Sequence, residues 1–121
     1  MQTTLRIGVL ALMIAATTVG DAKESVSIQV FPAVSFAPAD LNIGTTLEPD
    51  ADNRALEIVA DSDNFYRASA IPLEGDRAAK KTTVQFRGLP SGEYQITAAV
   101  IGANGRRKAI AHAQINVVAS N

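Results

Sequence analysis

The chain has 121 residues, a formal net charge of −1, and neither Cys nor Trp. One domain is expected at that length, and the near-zero charge sets up no long-range field toward nucleic acid or an anionic membrane. The absence of Cys excludes a disulfide framework, a thiolate nucleophile, a cysteine-based metal site and a lipidated cysteine, and with four Phe and two Tyr the core must rest on Val, Ile, Leu and Ala.

The first residues read as an export leader. Arg6 precedes an uncharged, largely apolar run over residues 7–19, and Gly20-Asp21-Ala22 fits the small-x-small rule of signal peptidase. That run of about 13 residues falls well short of the roughly 20 a membrane-spanning helix needs. Residues 1–22 are therefore expected to be a signal peptide cleaved near Ala22. The processed protein is expected to be periplasmic or extracellular, with no membrane span.

Beyond the leader, strand signals recur and helix signals are scarce. "SVSIQVF" alternates Val26, Ile28 and Val30 against Ser25, Ser27 and Gln29, the period of a half-buried strand. Pro32 and Pro38 interrupt it, so residues 31–40 read as an extended crossing or a broken edge strand. Leu41, Ile43, Thr45 and Leu47 resume the alternation until Pro49. "RALEIVA" sends Leu56, Ile58 and Ala60 one way, Glu57 and Val59 the other. "FYRASAIPL" reads as a strand ending at Pro72 or Leu73, and "EGDRAAKK" as an exposed loop. "TTVQFRGL" turns Val84 and Phe86 inward, and "PSG" is a turn signal. "EYQITAAVI" aligns Tyr94, Ile96, Ala98 and Val100. Asn104-Gly105 predicts a type I′ hairpin turn, and in the returning strand Ala109, Ala111, Ala113, Ile115 and Val117 are in phase.

Short strands with turn signals every 8–12 residues or so predict an all-β antiparallel sandwich of about seven strands. "GLPSGEYQITAAV", residues 88–100, resembles the turn and strand of fibronectin type III and other bacterial secreted immunoglobulin-like domains, with Leu89, Gly92 and Tyr94 at the L-x-x-G-x-Y positions. "EPDADNRALEIVADS" followed by "YRASAIPLEG" is similar to the opening strands of such domains. The resemblance implies a tyrosine corner at Tyr94, its hydroxyl bonding to upstream backbone. Ile96 stands where a disulfide-bonded immunoglobulin domain has its second Cys, which places the chain in the disulfide-free group. The expected layout is a leader over 1–22, an extended segment or edge strand over 23–40, and an immunoglobulin-like sandwich over 41–121.

Few residues offer chemistry. "DADN" at 50–53 and "DSDN" at 61–64 invite a calcium reading, but an EF-hand register would put Arg54 at a ligand place and Ala55 where Gly is demanded. The strand between them would also hold the two tetrapeptides roughly 15–20 Å apart. Asx-turn chemistry accounts for both. His112 has no second His or Cys at zinc spacing, no serine lies in a G-x-S-x-G or S-x-x-K setting, and no cofactor is implied. "GRRK" puts Arg106, Arg107 and Lys108 at the tip of the last hairpin, either as solvated charges or as a grip for acidic groups. Ala99 and Ile101 should face outward, with Ile110 and His112 across the hairpin from them. This patch and the nearby Phe65-Tyr66-Arg67 segment form the candidate partner interface, with Asn104 and Gly105 as its structural turn.

The expected function is that of an exported, non-catalytic module binding or scaffolding another envelope or extracellular protein. The alternatives are a calcium-stabilised adhesion module or a small secreted hydrolase.

Overall fold

A computed structural model describes residues 25–120, so the expected leader lies outside the described residues. Eight strands follow in order: β1 (Val26–Phe31), β2 (Val34–Phe36), β3 (Ala39–Leu47), β4 (Asn53–Ser62), β5 (Phe65–Pro72), β6 (Lys81–Leu89), β7 (Gly92–Gly102) and β8 (Arg107–Val118). A 3₁₀ turn, Gly75–Arg77, sits in the charged loop between β5 and β6. Three strands form one sheet in the order β1-β3-β6, and five form the other in the order β2-β8-β7-β4-β5. Every pairing is antiparallel except that of β2 with β8. This is an immunoglobulin-like sandwich, with eight strands where about seven were expected.

Period-two alternation builds the core. In β3, Ala39, Leu41, Ile43, Thr45 and Leu47 are buried while the residues between them are not. Leu41, Ile43, Leu56, Ile58, Leu89 and Ile96 retain 0% of their surface, so each withdraws a full aliphatic side chain from water, worth roughly 1.5–3 kcal/mol apiece. Thr45, the buried polar residue of β3, donates its hydroxyl to the Thr82 carbonyl at 3.2 Å. Residues 26–40 belong to this architecture: β1 and β2 are edge strands of opposite sheets, and Val26 and Ala39 are in the core. The segment ahead of Leu41 thus takes the edge-strand form of its two readings, in β1 and β2.

The two open sides of the sandwich are closed differently. On one, β1 packs beside β8, and the chain passes through Pro32 to lay β2 along β8. There Asn116 donates its N–H to the Ala33 carbonyl at 3.0 Å, and Ala37 donates to Val118 at 2.8 Å. On the other, β5 and β6 are the free edges. The Arg67 guanidinium bridges them, donating to the Arg87 carbonyl at 3.1 Å while standing 5.6 Å from the Phe65 ring centre and 6.0 Å from that of Phe86, within cation–π range.

Three local expectations are corrected. Among the described residues no non-glycine has positive φ, so Asn104-Gly105 is not a type I′ turn, which needs positive φ at both central positions. Gly102 and Arg106 close a three-residue loop instead, with Gly105 alone left-handed at φ 81° and its N–H bonded to Gly102. The extra loop residue is absorbed by a register shift between Val100 and Ile101, so Ile101 pairs with Arg107, while Ala99 faces Ile110 across the hairpin as expected and His112 pairs with Thr97. Finally, β5 pairs with β4 only. Two strands separate Tyr66 from Ile110, so the Phe65-Tyr66-Arg67 segment is not next to the Ile101–Ile110 patch.

Candidate functional site

Both acidic tetrapeptides flank β4, one at each end, as the strand reading required. At about 3.3 Å per residue, the ten residues of β4 separate them by about 30 Å. One end holds the last hairpin and "DADN"; the other holds "DSDN" and a groove.

At the first end the cationic tip and the acidic turn meet. Lys108 Nζ lies 3.1 Å from an Asp50 carboxylate oxygen and 3.5 Å from one of Asp52, and Arg107 reaches Glu57 at 3.2 Å. The Asp52 N–H donates to the Asp50 carboxylate at 2.9 Å, an Asx-turn bond, and Ala103 N–H donates to Asp52 at 3.1 Å. Asp52 can approach because Gly102 has no side chain: a Cβ there would stand 2.6 Å from its carboxylate oxygen. The Asp52 N–H first, and then the Lys108 ammonium, hold the Asp50 carboxyl below the ordinary carboxylate range. Arg106 is exposed, and its N–H bonds the Asn104 side chain at 3.0 Å. Arg107 and Lys108 are thus paired with carboxylates of their own chain, which the linear sequence places 50 or more residues away.

The outer face beside the tip is less apolar than its pattern implied. Ile110 is exposed and Ile101 half-buried, but Ala99 retains only 1% of its surface. His112 is an exposed sheet-face residue. The Gln95 amide and the Thr97 hydroxyl lie 3.3 and 3.5 Å from its Nδ1.

At the far end the expected tyrosine corner is present. The Tyr94 hydroxyl donates to the Pro90 carbonyl at 2.7 Å, Leu89 is fully buried, and Gly92 opens β7. The Tyr94 ring meets Phe65 edge-on at 6.2 Å. Burial pushes the phenol pKa up, with the Ser62 hydroxyl pulling the other way. Next to this corner is a groove of about 830 Å³. Its floor is the outer face of β7 and β8, where Glu93 pairs with Asn116 and Gln95 with Gln114. Asp61 at the end of β4 and the β4–β5 turn with Asp63 and Asn64 form one wall; Ala33 and Val34 form the other.

A third feature lies along β2. On β2, Val34 is 64% exposed and Phe36 68%, and Val118, paired with Phe36, is also exposed; just before it, Phe31 at the end of β1 is 72% exposed. Sequence reasoning passed over these side chains because the two prolines made residues 31–40 look like an extended crossing or a broken edge strand, with no surface role. The signal was the apolar content of "VFPAVSF". The groove amides were missed for another reason: a polar residue at every second place of a strand reads simply as its wet face.

No protein-family model matches the chain, and no curated protein does. Solved structures do match in shape. A superoxide reductase (neelaredoxin) from Ignicoccus hospitalis superposes with a TM-score of 0.56 at 10% identity, over 80% of this chain and 81% of that one. A family 76 glycoside hydrolase from a bovine Bacteroides thetaiotaomicron strain gives 0.56 at 16% identity, over 79% of this chain but 21% of the enzyme. The fibronectin(III)-like modules of Clostridium thermocellum CbhA give 0.52 at 12% identity, over 79% of this chain and 99% of the module. At such identities the likeness is one of fold.

Proposed function

We propose that the chain is an exported, non-catalytic immunoglobulin-like module that binds or scaffolds another envelope or extracellular protein. The observation that carries the reading is the β2 edge, where Val34 and Phe36 stand more than 60% in water. A folded domain that leaves neighbouring large apolar side chains exposed, when its own core is otherwise closed, fits a surface kept for a partner. The likeness to CbhA's fibronectin(III)-like modules is compatible with a module of this kind. Export rests on the leader pattern of residues 1–22.

Two measurements test this. The mass of the protein recovered outside the cytoplasm should correspond to a chain beginning at or near Lys23; an unprocessed chain in the cytoplasm overturns export. A photo-crosslinking residue at Phe36, in the cells that make the protein, should yield a discrete product that is missing when it is placed at Gln29 on the opposite sheet. Equal products at both positions, or none at Phe36, remove this edge as the binding surface.

A further inference from the structure

The groove beside the tyrosine corner is built for a particular ligand chemistry, and its case does not depend on the protein-binding reading. Four of its side chains, Glu93, Gln95, Gln114 and Asn116, stand as two cross-strand pairs on one face of the five-stranded sheet. Side chains paired in this way sit close enough to hold neighbouring groups of one ligand. Each amide offers two N–H donors and a carbonyl acceptor, and each carboxylate offers only acceptors. Asp61 continues the Gln95–Gln114 row onto β4, and Tyr66, just beyond the groove's own lining, lies opposite Asp61 on β5, 63% exposed. The row across the sheet therefore runs from an aromatic ring through a carboxylate to two amides. Its rigidity comes from the strands beneath it.

We infer that this groove binds a polyhydroxylated ligand of neutral or positive charge, an oligosaccharide whose hydroxyls pair with the amides and carboxylates of the row and whose apolar ring face lies toward Tyr66. Apolar small molecules suit sites lined mainly by hydrophobic side chains, and this lining is chiefly amide, carboxylate and hydroxyl. Anionic polymers are disfavoured because Asp61, Asp63 and Glu93 face the groove and none of its described lining residues is cationic. Hydroxyls, each both donor and acceptor, match a surface mixing both kinds of group. The open mouth, between the β4–β5 turn and β2, admits a chain from the side.

The test is an amide-resolved NMR titration of the intact protein with four probes: cellohexaose, a glucosamine hexasaccharide, an oligogalacturonate and hexalysine. Both neutral and amine-bearing sugars should shift Asn64, Gln95, Gln114 and Asn116, the amine-bearing one more tightly, and the oligogalacturonate should not. Gln95→Ala and Gln114→Ala, on an exposed sheet face, should keep the fold and each weaken both sugars about tenfold, the size of a lost hydrogen-bonding side chain. Asp61→Asn should weaken the glucosamine ligand while leaving cellohexaose within about twofold, by the loss of one charge contact. Hexalysine binding as tightly as the glucosamine chain would show attraction by charge alone and overturn the inference. No shift with either sugar, or shifts elsewhere on the surface, would overturn it too.

Discussion

Tyr94 is the residue on which the far end of the sandwich turns. Its hydroxyl answers the Pro90 carbonyl, and removing the hydroxyl leaves that acceptor without its partner. Tyr94→Phe should therefore lower stability by about 1–2 kcal/mol, read as a lower urea midpoint at unchanged slope; an unchanged midpoint would mean water satisfies the carbonyl as well. The pH dependence follows from the raised phenol pKa. Folding keeps the proton on, so this contribution is intact below the ordinary phenol range and is lost as pH rises through the raised value. The alkaline limb of the stability profile should flatten in Tyr94→Phe. Asp50 has the opposite sign: its pKa is lowered, so its small, exposed contribution is present above the ordinary carboxylate range and fades as pH falls through the lowered value. At the hairpin, Gly102→Ala should displace the Asp52 carboxylate and release its bond to Ala103, costing about 1 kcal/mol. Lys108→Ala removes only solvent-exposed pairs and should cost no more than about 1 kcal/mol. If the lysine change proves the costlier of the two, this ranking is wrong. Tyr94 was legible in the sequence because a local spacing encodes its partner four residues upstream. The pairing of Lys108 with Asp50 and Asp52 was not, since only folding brings those segments together.

At the scale of the strand, the period-two pattern carried most of the information. Leu56, Ile58 and Ala60 of β4 and Ile96, Ala98 and Val100 of β7 are buried as their alternation implied. What alternation could not supply is which strand neighbours which: the placement of β5 at the edge, away from β8, and the register shift at Ile101 both depend on partners. One free edge also carries a feature that disfavours pairing with copies of the chain. The free β5 edge carries Arg67 on the face turned toward the other sheet, where its charge is held against two rings and a carbonyl. A strand docking beside β5 would have to dislodge it, and inward-pointing charge is a known protection of sheet edges. Arg67→Val should raise the fraction of dimer and larger species in light scattering as concentration increases. A variant that stays as monomeric as the parent would leave the edge protected by something else.

For the whole molecule, the separation of the two ends by the length of β4 governs how function can be divided. One end binds its acidic turn to its own cations; the other presents amides and carboxylates to solvent. Because the acidic tetrapeptides stand a strand apart, no single calcium ion can bridge them, and thermal midpoints with EDTA and with added calcium should coincide. A calcium-dependent rise would mean the folded state alone holds an ion and would reinstate the adhesion reading. The other large-scale feature is the chain's change of sheet between Phe31 and Val34. Since β2 runs parallel to β8, tension entering β2 at its start and β8 at its end slides the two strands past each other. The bonds at Ala33–Asn116 and Ala37–Val118 then share the load together rather than opening one by one like a zipper. A domain so joined should withstand stretching better along its own chain than its modest size suggests. Replacing Ser35 by Pro, which disrupts β2, should lower the rupture force measured by single-molecule pulling more than it lowers the melting temperature.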